Sequence, residues 1–142
     1  MRLIARLLVL SMPLLYSGVS SAADCPNVSV HPGITAVFLQ TDFGEKETAS
    51  KAYVAAFEEA IKKSRAFCLV QDLRAALFSL NLAGIDLAED HERAALSMVI
   101  ISEKGTLVSH FIRLSSIDNL EKNSQDDLVR VDRAIQRFNR HR

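Results

Sequence analysis

Four arginines near the C-terminus, Arg130, Arg133, Arg137 and Arg140, recur at steps of three, four and three. At about 100° per residue that spacing lines one face of a helix, opposite the apolar stripe Leu128, Val131, Ile135 and Phe138. A guanidinium offers a planar fork of donors that matches carboxylates and phosphates. The row therefore reads either as a solvated face, its cations favoured by the negative end of the helix dipole, or as a ridge for an anionic partner. That partner would be an acidic protein surface, a lipid head group or another anionic envelope component.

Other residue types invite chemistry but lack its spacing. Glu89, Asp90, His91 and Glu92 cluster in "AEDHER", residues 88–93. Consecutive residues point in different directions and no H-x-x-x-H accompanies them, so the cluster reads as a solvated acidic connection and no metal is expected. His110, in "SHFIR", could face an acid across a sheet, and a serine–histidine–acid set is arranged in space rather than in sequence. The chain has no G-x-S-x-G elbow, phosphate loop or zinc signature. His110 thus reads as a partly buried sheet residue, His31 as part of an N-terminal arm and His141 as part of a tail. The chain contains no Trp, which disfavours a sugar-stacking cleft, and no cofactor is expected.

The two cysteines, Cys25 and Cys68, bear on where the chain lives. Arg2 and Arg6, the apolar run Leu7 to Tyr16 and the small-residue stretch "SGVSSAA" have the order of a secretory signal peptide. Ser21 and Ala23 fill the small positions, which predicts cleavage before Asp24, leaving residues 1–23 as signal and 24–142 as one exported domain. The apolar run is too short to span a bilayer and contains Pro13. Asp24 before Cys25 argues against a lipid anchor. In an oxidising compartment the two thiols then read as a disulfide stapling the N-terminus to the core. The residues remaining after cleavage carry a net charge of −2, because the signal removes two of 17 basic residues and none of 17 acidic ones. That balance disfavours a dedicated nucleic-acid binder. It leaves the oligomeric state open.

Periodicity supplies the elements. "GITAVFLQ" is a β-rich run closed by "TDFGE". Glu45 to Ser64 is helical, with Ala49, Tyr53, Ala56, Phe57, Ala60 and Ile61 on one face. "AFCLV" is a short buried strand. "QDLRAALFSLNLAG" is expected to be a helix with Leu73, Ala76, Leu77 and Leu80 inward and Gly84 at its stop. Ile85 to Arg93 is irregular. "ALSMVIISEKGTLVSHFIRLSS" is a hairpin turning at Glu103-Lys104-Gly105. A final helix is expected from Ser124, with Asp127 in a capping-box-like spacing. The order β-α-β-α-β-β-α predicts an α/β single domain, its helices packed on a mixed sheet.

Over residues 34 to 140 this order resembles the thioredoxin-like arrangement. The family's active motif would sit at "TDFGEK", where there is no C-x-x-C, and the only prolines are Pro13, Pro26 and Pro32, so none precedes the hairpin strand. The first half is similar to the small α/β domains of periplasmic envelope-assembly proteins. Both resemblances imply a fold and no activity. The expected function is a periplasmic or secreted accessory or inhibitor-type binding protein acting through macromolecular contact, without catalysis. The competing expectation is a thioredoxin-like protein without the redox motif, or a small hydrolase using His110 with Ser109 or an acid.

Overall fold

Thr35–Phe43 forms β1, Thr48–Lys63 α1, Phe67–Leu69 β2, Phe78–Asp86 β3, Arg93–Ser102 β4, Leu107–Ser116 β5 and Leu120–Arg140 α2. The structure, a computed structural model, describes residues 25, 33–87, 89 and 91–142. The expected signal segment, His31 and Asp90 lie outside the described residues.

The strands make one mixed sheet in the order β2-β1-β3-β4-β5. β1 runs parallel to β2 and β3, while β4 is antiparallel to both β3 and β5. Both helices cover one face. Tyr53, Phe57 and Ile61 of α1 and Val131 and Ile135 of α2 close over Val37, Leu80, Leu96, Met98 and Ile100 in a single core. Each such side chain removed from water contributes about 1.5–3 kcal/mol, so this layer holds the fold. The expected α/β single domain with a mixed sheet is what the chain adopts.

Two elements differ from expectation. Residues 78–84, expected as the second half of a helix over 71–84, form the central strand β3 together with Ile85 and Asp86, both expected to be irregular; only Leu73–Ala75 makes a short 3-10 turn before it. Phe78, Leu80 and Leu82 are buried at every second position, and that period of two outweighs the helical spacing of Leu73, Ala76, Leu77 and Leu80. Leu73 and Leu77 are exposed instead. Gly84 is not a helix stop: a Cβ there would come within 2.7 Å of Leu96 Cδ2 and 3.0 Å of Phe43 Cε1. Glycine lets β3 lie close under its neighbours. The order is therefore β-α-β-β-β-β-α, which departs from the thioredoxin-like sequence of elements.

The last helix starts at Leu120, one turn before Ser124. Ser124 Oγ donates back to the Glu121 carbonyl at 2.9 Å, and Asp127 turns into the interior instead of capping. The hairpin turn is where the sequence places it. Gly105 adopts φ 76°, and its amide donates to the Ser102 carbonyl at 2.8 Å.

Cys25 and Cys68 are bonded, with Cα atoms 5.4 Å apart. The bridge joins the chain ahead of β1 to the edge strand β2. Among the described residues no helix is long and apolar enough to cross a membrane.

Candidate functional site

Among the described residues, nothing roofs the face of the sheet turned away from the helices. Register places its side chains in rows across β3, β4 and β5: Ile85 beside Ala95 and Leu114, Ala83 beside Ser97 and Ile112, Asn81 beside Val99 and His110. A solvated sheet face normally alternates toward polar residues. Here Ile85 is 60 % exposed, Leu107 62 %, Ile112 64 % and Leu114 69 %. Phe43, Gly44, Ala83, Ile85, Ala95 and Ile112 line a shallow open depression at one end of this face. Large apolar side chains exposed together on one face mark interaction sites.

His110 projects from this open face and is exposed, not partly buried as expected. Its Nε2 lies 3.3 Å from Ser97 Oγ. Ser109, paired with the buried Ile100, points to the opposite face, so Ser109 and His110 are not brought together. Among the described residues no carboxylate lies within hydrogen-bond reach of the His110 ring.

On the other side of the sheet, α2 runs back along β5. Asn123 donates to Ser115 Oγ at 3.0 Å, Arg113 bonds Asp127, and the Arg130 guanidinium stands 5.6 Å from the centre of the Phe111 ring. All four members of the predicted arginine row are exposed. Arg137 and Arg140 fold back to donate to the carbonyls of Arg133 and Gln136. Arg130 lies on the flank that meets β5, with Nε 3.9 Å from Asp127.

Beneath that flank lies a polar knot that sequence reasoning missed. Asp127 is fully buried and accepts from Tyr53 Oη at 2.6 Å and from Arg113 Nε at 2.9 Å and Nη2 at 2.5 Å. Burial first, and then the Asp127 carboxylate, push the Tyr53 phenol well above its ordinary value, so it remains a donor. The same hydrogen bonds to Asp127 outweigh burial and raise Arg113. No residue spacing announces this knot, because its members come from α1, β5 and α2.

A second cluster closes the start of α1. Asp86, the last residue of β3, accepts from the amides of Ala49 and Ser50 at 3.0 Å each, from Ser50 Oγ at 3.0 Å, and meets His91 Nδ1 at 2.8 Å. The Asp86 amide in turn donates to Glu47 Oε2. A strand carboxylate thereby caps a helix distant in sequence, satisfying otherwise unpaired donors. His91 of the predicted acidic segment is drawn into this capping role, while Glu89 is exposed. Among the described residues, no three His, Cys, Asp or Glu side chains are grouped to hold a metal ion.

Burial opposes ionisation of Asp86, but the two amides, His91 and Ser50 prevail and hold its carboxyl down at about 2. Its folded pKa lies below the unfolded one, so the unfolded chain takes up the proton first as pH falls. The stabilisation is thus present above about pH 5 and lost as pH drops toward about 2. Because its partner His91 is half-exposed, the contribution is discounted to about 1–2 kcal/mol. Denaturant unfolding followed across this range should show a steeper acid loss in the wild type than in Asp86→Asn. Parallel pH profiles would show that Asp86 carries none of it.

No protein-family model matches the chain, and no curated protein matches it. Similar solved structures include a single-substitution variant of the PelC dodecamer from Paraburkholderia phytofirmans. It is 12 % identical, over 65 % of this chain and 80 % of that one, with a TM-score of 0.44. The hypothetical protein CT253 from Chlamydia trachomatis is 8 % identical, over 59 % and 71 % of the two chains, with a TM-score of 0.43.

Proposed function

We propose that this chain is an exported binding module that acts by contact with a partner protein and not by catalysis, its open sheet face forming the docking surface. The observation that carries this reading is the exposure of Ile85, Leu107, Ile112 and Leu114 on one unroofed face. Burying such side chains against a partner releases about 25 cal/mol per Å² of apolar surface, which is the usual driving force for association. Of the arginine row, Arg130 lies on the flank that meets β5 and adds a preference for acidic groups at the rim of that contact. Export is supported by the Cys25–Cys68 bridge, since disulfides persist in oxidising compartments. The basic and apolar pattern of residues 1–23 points the same way.

The test is capture from periplasmic extract by wild type and by an Ile112→Ser, Leu114→Ser double variant. Both side chains point to solvent, so the variant should fold with its melting temperature nearly unchanged. A protein recovered by the wild type should be lost, by about ten-fold or more, from the variant. Equal recovery by a folded variant would remove the open face from the function.

A further inference from the structure

The two edges of the sheet are unequal. β2 is three residues long and tied down by the disulfide at Cys68, whereas β5 spans ten residues from Leu107 to Ser116. An edge strand leaves every second N–H and C=O pointing away from its partner. Proteins that refuse further pairing shorten, charge or interrupt such edges with lysine or proline. β5 contains no Lys and no Pro. Its one permanently charged side chain, Arg113, is spent on Asp127.

The surroundings of this edge differ on its two sides. On the open side stand Leu107, Ile112 and Leu114. On the helical side, α2 tracks β5 at one turn per two strand residues: Asn123 meets Ser115, Asp127 meets Arg113, and Arg130 meets Phe111. Further along, Phe138 packs edge-on against Phe78 of β3, so the C-terminal end of α2 lies over the middle of the sheet and Arg130 is the member of the arginine row seated beside this edge. The carboxylates on this flank are matched, Asp127 by Arg113 and Asp126 by Lys122 at 2.7 Å. Arg113 and Arg130 together outnumber Asp127, which leaves a positive charge beside Phe111 in the middle of the edge.

Resting on the binding reading above, we propose that β5 accepts an extended segment of the partner protein as a sixth strand. The segment alternates acidic and apolar residues. Its apolar side chains would join Leu107, Ile112 and Leu114 on the open face, and a carboxylate opposite Phe111 would meet Arg130. Main-chain hydrogen bonds give such strand addition its affinity, and the alternating side chains its specificity.

The probe is a capped alternating Glu–Val peptide of about eight residues, enough to pair along most of β5. Its binding is read by fluorescence anisotropy beside a Lys–Val peptide of the same length. At low salt the Glu–Val peptide should bind at least about ten-fold tighter, and moderate salt should narrow the gap. N-methylation of alternate peptide amides should abolish binding for one of the two registers, because it removes the donors facing β5. Arg130→Glu should shift the preference toward Lys–Val, a gain that a misfolded variant could not show. Equal binding of both peptides, or indifference to N-methylation in both registers, would overturn the inference. If neither peptide binds while Ile112→Ser, Leu114→Ser still loses the captured protein, strand addition falls and the open-face reading stands.

Discussion

Replacing Asp127 with alanine should cost about 3–5 kcal/mol of folding stability, the range for breaking a buried ion pair from one side. In a domain of this size that is a fall in melting temperature of roughly 10–20 °C. Asp127 is fully buried and serves Tyr53 and Arg113 at once. Its loss strands a guanidinium whose side chain is only 17 % exposed, together with a buried phenol. Tyr53→Phe should cost less, about 1–2 kcal/mol, because it removes one donor and leaves the ion pair standing. Pairing Asp127→Leu with Arg113→Met should recover much of the loss, since buried charges can often be exchanged for apolar packing. Thermal and denaturant unfolding of the four proteins measure this. A loss below about 1 kcal/mol in Asp127→Ala would show that the knot is not closed as described.

Removing the disulfide should rank next. The bridge spans a sequence separation of 43 residues, for which loop-closure entropy gives about 4 kcal/mol, with measured bridges commonly nearer 2–4. Cys68→Ser should lower the melting temperature without abolishing the fold. The core of α1, α2 and the central strands is built without it, and β2 contributes only three residues. Thiol titration under denaturing conditions without reductant should find no free thiol in the oxidised wild type. Two free thiols there, or an unchanged melting temperature in Cys68→Ser, would contradict this account.

The elements that the sequence made legible are those with one buried face. Tyr53, Phe57 and Ile61 repeat at the helical period, Leu128, Val131 and Ile135 do the same, and Gly105 marks the hairpin turn. Their burial in the structure follows that spacing. β3 was obscured because Leu73, Ala76, Leu77 and Leu80 happen to match a helix while Phe78, Leu80 and Leu82 match a strand. Only the pairing of β3 with β1 and β4 settles which period wins. With residues 71–84 taken for a helix and Ile85 for part of an irregular segment, the open face could not be seen, since Ala83 and Ile85 belong to it. A signal was present in "HFIRL", where Ile112 and Leu114 share one face and Phe111 lies on the other, so neither face of the strand is uniformly polar. Asp86 and Asp127 were illegible for a different reason: each draws its partners from other elements, and their meeting is a property of the packed sheet and helices.

The open face can be tested where the chain acts. A photo-crosslinking residue placed at position 112 in the producing cell samples whatever lies against that face. The same residue at position 55, on the exposed side of α1, samples the opposite surface. The account predicts a discrete crosslinked protein from position 112, absent from position 55 and competed by added Glu–Val peptide. Crosslinks from position 55 alone, or none from a folded protein labelled at 112, would contradict it.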